Sequence, residues 1–328
     1  MPTPMFTLKN NNYPWHAMLW QQLMKQHANQ HLPHAILLSS QPHAGIEKLA
    51  ERLAVRLICT ELNDDSACGE CRNCKLFAGG SHPDVFILEP EEDSKVIKID
   101  QIREFVHKIT LTASMASCKI ALVRPAEAMN QAAANALLKT LEEPAGDAYI
   151  ILSSTEPARL LATIRSRCQQ YAVETAANTL VEDWLTQSGN QTEKVRTAIL
   201  AARGLPLLAA EYLQGDLLDV RRNVGIGYLK TARGQADLMA VANNWVTLKQ
   251  PLVWLWLSQW MGDVARASLT GEACKDPVSE AVRSARPNFP LETSLQLQSM
   301  AMQGWRSQEG PLRQDLLFEQ WLLQWAQI

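Results

Sequence analysis

Apolar residues at Trp15, Met18, Leu19 and Leu23 recur at the spacing of one helix face, which predicts a helix over residues 15–31. HAILLSS (residues 34–40) then switches to a short, continuously apolar run of the kind a buried strand makes. A helical period returns over 46–58. Three more such runs follow: PDVFILEP (83–90), KIALVRP (119–125) and AYIILSS (148–154). Between them, helices are predicted over 99–109, with Asp100 favouring the N-terminal end of the dipole, and over 130–143, where Pro144 stops an Ala/Leu-rich segment.

Strands that alternate with helices of this length imply a parallel sheet with crossover helices. The alternation ends near Val173. Beyond it the pattern predicts only helices, over 179–188, 193–203, 207–213, 220–233, 236–248, 251–268, 291–304 and 311–327. The chain therefore divides into an α/β half and an all-helical half, with a small helical segment around 175–217 separable from the rest.

Composition narrows the class. With 328 residues, 47% of them hydrophobic and 20% charged, the chain is globular and long enough for two or three cores. A net charge of −3 gives no global field for wrapping nucleic acid, so any such contact needs a local patch. No apolar run reaches the length of about 18 residues that a membrane helix needs. The opening MPTPMFTLKNNNYPW lacks the basic and apolar regions of a signal peptide, so a cytoplasmic location and no membrane partner are expected.

Between the first strand and the second helix lies SSQPHAGIEK (39–48), where a phosphate loop G-x-x-x-x-G-K-[ST] would sit. With Gly45 as the last glycine, Ser40 stands at the first, Ile46 at the lysine and Glu47 at the hydroxyl. Lys48 comes two positions late. A working loop needs the lysine for the β and γ phosphates and the hydroxyl for magnesium, and Glu47 would add repulsion. The stretch is a degenerate phosphate loop, and no ATP is expected on it.

Four of the seven cysteines, Cys59, Cys68, Cys71 and Cys74, form C-x8-C-x2-C-x2-C. Two-residue gaps let neighbouring thiolates bite one ion from a tight turn, which Gly69 eases. The set fits a closed, structural Zn2+ site. An iron–sulfur cluster usually brings a proline and a further cysteine, and four unrelated thiols is the plain alternative. His82 reads as a surface or packing histidine. Cys118, Cys168 and Cys274 lack metal spacing and read as buried thiols.

HAILLSS, the loop after it, CGECRNC, NALLKTLEEP and TIRSRC occur in an order that resembles bacterial DNA polymerase III clamp-loader subunits of the AAA+ class, strongly over about 13–175. The resemblance implies a RecA-like AAA+ domain at 1–174 carrying a zinc module at about 59–74. A small helical lid at 175–217 and a helical collar, or oligomerisation domain, at 218–328 would follow. The family has an ATPase branch, gamma/tau, and a delta-prime branch. The ATPases carry an Asp-Glu pair after the third strand; those positions here are Arg124 and Pro125, and Glu127 is displaced. At the position of a nucleotide-sensing arginine stands Leu207, with Arg203 one turn earlier. Three elements lacking their polar chemistry resemble the delta-prime branch: a subunit that does not itself hydrolyse ATP.

The same resemblance makes Arg167 of SRC (166–168) an arginine finger, acting in trans on a neighbour's ATP. A guanidinium suits that role because it is always charged and forks onto two oxygens. A surface arginine or an intrachain salt bridge is the alternative, with Arg165 adjacent. Gamma/tau and delta subunits are the implied partners, and through the complex the sliding clamp and primed DNA. Glu142 and Glu143, adjacent on a helix end, face different directions and read as a solvated terminus rather than an acid–base pair. The resemblance turns their helix toward neighbours and DNA, making Lys139 and Thr140 interaction candidates. Trp245, Trp254, Trp256, Trp260, Trp305, Trp321 and Trp325 lack interleaved basic residues near VWLWLSQWM, so packing is preferred over base stacking. The rival readings are an active gamma/tau-type ATPase and a zinc-bearing nucleic-acid-binding module.

Overall fold

The structure, a computed structural model, describes residues 12–326 except 64–65, 92–93, 110–111, 145, 249, 287–288 and 308–312. Parts of the expected 311–327 helix and of the acidic 89–98 segment lie outside the described residues. The chain forms two compact units: Met1–Gln187 with Leu205–Leu207, and Ser188–Gly204 with Leu208–Ile328.

The first unit is built on β1 (Ala35–Ser39), β2 (Leu62–Asn63), β3 (Ser66–Ala67), β4 (Val85–Leu88), β5 (Lys119–Val123), β6 (Ala148–Ser154) and β7 (Gln169–Ala172). Five of these make one parallel sheet in the order β4-β5-β6-β1-β7, while β2 and β3 pair as a small antiparallel hairpin. The central strands are buried on both faces, so they read as unbroken apolar runs rather than alternating ones. Ile36 and Leu38 of β1 join Ile120, Leu122 and Ile151 on one face, against α1 (Ala17–Ala28) and α2 (Ile46–Ile58). Packed there are Leu19 and Leu23 of α1 with Leu49 and Leu53 of α2. α3 (Arg72–Ala78) adds Phe77 to the same cluster.

On the other face Leu37, Val123, Ile150 and Leu152 meet Ile102 and Phe105 of α4 (Ile99–Ile109) and Leu137 and Leu141 of α5 (Gln131–Glu142). Asn130 caps α5 by accepting from the Ala133 N–H at 2.8 Å. α6 (Ala162–Arg165) and α7 (Asn178–Gln187) complete the unit. The pattern does not show β7. It is an edge strand in which only Tyr171 is buried, so its sequence QQYA carries no apolar run.

The second unit is helical among the described residues: α8 (Thr192–Ala201), α9 (Pro206–Leu213, which starts in the first unit), α10 (Leu217–Ala232), α11 (Leu238–Thr247), α12 (Gln250–Thr270), α13 (Pro277–Ala285), α14 (Leu291–Arg306) and α15 (Gln314–Ala326). The pattern misses α13, whose start is marked by Asp276, accepting from the Val278 N–H, and by Pro277 at the first helical position. Trp245, Trp254, Trp256, Trp260, Trp321 and Trp325 are fully buried, and Trp305 is half exposed. Tyr228 lies among Trp260, Trp321 and Trp325, with ring centroids 4.5–6.1 Å away. Six of the seven tryptophans are thus core. Gly304 of α14 lets α12 approach, since a Cβ there would come within 2.6 Å of the Trp254 indole.

Candidate functional site

The degenerate loop leaves β1 at its C-terminal end, where open α/β sheets place ligands, and closes on Gly45 at φ +75°. Ile46, at the lysine position, does not face the loop's mouth; its side chain is 3% exposed and packed in the core. Glu47 is exposed in the first turn of α2. The Ser40 hydroxyl donates to its neighbour's carbonyl, Gln41 O, at 2.8 Å.

The chain's own aromatics cover this turn. The Ala44 carbonyl accepts from Trp15 Nε1 at 2.9 Å and from His16 Nε2 at 2.8 Å. Tyr13 stacks on Trp15 at 5.0 Å, and its ring stands so close that a Cβ on Gly45 would be 2.5 Å from it. Trp184 of α7 packs edge-on against both rings. Burial pulls His16 down to about 4, with Arg52 adding to it and the Ala44 bond opposing, so the imidazole is neutral near pH 7 and donates. Leu207 reaches the loop as well: its N–H donates to His43 O at 3.0 Å, and its side chain packs on Gly45. Arg203 is committed in the second unit, where Nη2 donates to Gln259 O.

At the expected metal-binding acids the charge is inverted. Arg124 donates through Nε to Glu89 Oε2 at 3.1 Å and pairs through Nη1 with Glu51. Glu51, only 2% exposed, also holds Lys48 Nζ at 2.9 Å. These residues line a cavity of about 380 Å³ with Glu47 and Pro125. Lys48, two positions late for phosphate, is thus part of an internal ion-pair cluster. Glu127 Oε1 takes the N–H groups of Thr155 and Glu156 at 3.1 and 3.2 Å, which ties it to the end of β6.

The four cysteine sulfurs converge. All lie within 4.8 Å of one another, with Cys59–Cys68, Cys59–Cys71 and Cys68–Cys74 at 3.6, 4.0 and 3.9 Å. A zinc–sulfur bond of about 2.3 Å gives tetrahedral edges of about 3.8 Å, so this donor set fits zinc. Backbone N–H groups of Cys68 and Cys71 point at Cys59 Sγ and Cys68 Sγ at 3.3 and 3.2 Å. Burial pushes the Cys59 and Cys74 thiols up; at Cys71 it is outweighed by N–H groups of Cys74 and Thr60, which bring that thiol down to about 6. Gly69 turns the chain at φ +75°. Asn73 docks the module by donating to Ile58 O, at the end of α2, at 2.7 Å. His82 is a buried packing histidine whose Nδ1 accepts from the Asp84 N–H. Cys118 and Cys168 are buried, whereas Cys274 is half-buried, contrary to expectation.

Arg167 follows α6 and is not free in this chain. Its Nε donates to Glu142 Oε1 at 2.6 Å, Nη2 pairs with the same oxygen, and Nη1 donates to Thr163 O at 3.0 Å. Glu142 is therefore engaged rather than merely solvated. Thr140 is 7% exposed, which removes it as a surface candidate, while Lys139 is exposed. Sequence reasoning missed Tyr13, His16, Glu51, Glu89 and Glu142 as parts of these sites. The aromatic run YPWH (13–16) lies more than twenty residues before the loop in sequence, so only the fold brings the loop's cover to it.

A family model described as DNA polymerase III, delta subunit, matches residues 15–177. DNA polymerase III subunit delta′ of Pseudomonas aeruginosa is 37% identical over 327 residues, covering 96% of this chain and 98% of that protein. DNA polymerase III subunit delta′ of Escherichia coli is 32% identical over 235 residues, 71% of this chain and 70% of that one. The solved structure of a DNA polymerase III gamma subunit-related protein from Thermotoga maritima covers 94% of this chain and 98% of its own, with 17% identity and a TM-score of 0.48. With 37% identity over nearly its full length, the chain belongs to the DNA polymerase III subunit delta′ family of clamp-loader proteins.

Proposed function

We propose that this clamp-loader subunit is a nucleotide-free member of its complex that donates Arg167 in trans to ATP held by a neighbouring gamma/tau subunit. It would thereby support loading of the sliding clamp onto primed DNA, with delta as a further partner, in the cytoplasm. The observation that carries this reading is the replacement of ATP-handling groups by self-contained contacts: Ile46 in the core, Tyr13 over Gly45, and Arg124 on Glu51. Nothing in that arrangement offers a phosphate a lysine or a magnesium ion a carboxylate at the family's positions. Arg167, by contrast, keeps about a third of its side chain exposed (31%).

Cys59, Cys68, Cys71 and Cys74 would hold a structural zinc. Four thiolates close its coordination shell, so it supplies folding stability to the insertion and no reactive water. The three-part organisation into 1–174, 175–217 and 218–328, as AAA+ domain, lid and collar, is part of the same proposal.

The decisive measurement is clamp- and DNA-stimulated ATP turnover of a loader reconstituted from gamma/tau, delta and this chain. Arg167→Ala should lower it by about 10³-fold or more, the range for removal of an arginine finger. Normal turnover in that variant would overturn the finger assignment.

A further inference from the structure

We infer that Glu142 is a positioning residue for Arg167, holding one edge of the guanidinium so that its remaining donors are presented to an anionic phosphate. The inference rests on the reading of Arg167 as the finger. A guanidinium has five N–H donors in a fixed plane. Three nitrogens are engaged here: Nε and Nη2 with the single oxygen Glu142 Oε1, and Nη1 with Thr163 O. Among the described residues, this leaves one N–H on each terminal nitrogen. Two such donors, one on each terminal nitrogen, remain for phosphate oxygens.

The support is built on rigid elements. Glu142 is the last residue of α5, one position after Leu141, which is 1% exposed in the core. Arg167 is bracketed by Ile164 and Cys168, both buried, and its own N–H donates to Ile164 O at 3.1 Å. Neither backbone can drift without opening the sheet's packed face. The long arginine side chain, mobile if unpartnered, is thus held before any phosphate arrives, and ordering beforehand is what makes a transferred-group contact efficient.

A carboxylate beside an incoming polyphosphate also repels it. If that repulsion dominated, Glu142 would be a brake. It is half exposed, and it shares its charge with the guanidinium it holds, so solvent screens the repulsion while the orientation remains. Orientation should therefore win.

The test uses the reconstituted loader with gamma/tau and delta, read as kcat and KM for ATP. Glu142→Ala should lower kcat about ten- to a hundredfold with KM unchanged, the scale of a misplaced catalytic group. Glu142→Gln, which keeps an acceptor oxygen without the charge, should recover most of the loss. In an Arg167→Ala background, Glu142→Ala should have no further effect. Unchanged or raised kcat in Glu142→Ala, an equal loss in Glu142→Gln, or the same loss in both backgrounds would each overturn the inference. Normal turnover in Arg167→Ala alone would instead sink the finger reading beneath it.

Discussion

His16 sits fully buried against the turn after β1, and burial brings its titration down to about 4. In the unfolded chain a histidine titrates near 6.5. Between those values the unfolded state binds a proton that the folded state refuses, so stability falls as pH drops from about 6.5 to about 4. The full shift corresponds to about 3 kcal/mol, reached only at the acid end. Thermal unfolding of the wild type should therefore lose more stability between pH 7 and pH 4.5 than His16→Gln does. Equal losses would show that His16 is not held neutral. Asp84 acts in the same direction further down: burial pushes it up, but the N–H groups of Ser114, Ala116 and Met115 outweigh this, so its contribution fades only below the ordinary carboxylate range.

At the scale of elements, the cysteine insertion is the part with the least regular structure to hold it. Its two strands are two residues each, and α3 is seven residues long, too short to persist unaided. The purified chain should carry one zinc, measured by metal analysis, and chelation or Cys71→Ser should expose the segment 59–78 to protease while the sheet stays intact. A metal-free chain with the same protease pattern as the wild type would remove zinc from the account. Much of this level could be read from residues: the α2 and α4 bounds, Ile46–Ile58 and Ile99–Ile109, follow from apolar periodicity, and β6 from an unbroken apolar run. β7 could not be, because an edge strand needs only one buried residue, and α13, nine residues long with Val282 as its one buried apolar residue, gives too short a period. The cysteine site was visible because its ligands are close in sequence. Glu51, Glu89 and Arg124 come together only through the sheet, 38 and 73 positions from Glu51, so no local pattern could show them.

For the whole molecule, the two units divide the work of folding differently. The first is a two-faced sheet core, whereas the second relies on a tryptophan-rich helical interior. Among the described residues no helix is long and apolar enough to cross a membrane. If the loop after β1 takes no nucleotide, millimolar Mg-ATP should leave the unfolding midpoint of the isolated chain unchanged. A ligand at a hundred times its Kd would add about 2.7 kcal/mol, so a clear upward shift would refute the nucleotide-free reading. The ion-pair cluster has a consequence for how such a subunit changes over generations. An aspartate at position 124 would take the arginine from Glu51, which is 2% exposed and would keep Lys48, and set a new carboxylate beside Glu51 and Glu89. Breaking one side of a buried pair costs about 3–5 kcal/mol, against a total stability of about 5–15 kcal/mol. Such a single change would therefore remove a large part of the folding margin, so an acid at position 124 needs compensating changes at Glu51 or Glu89.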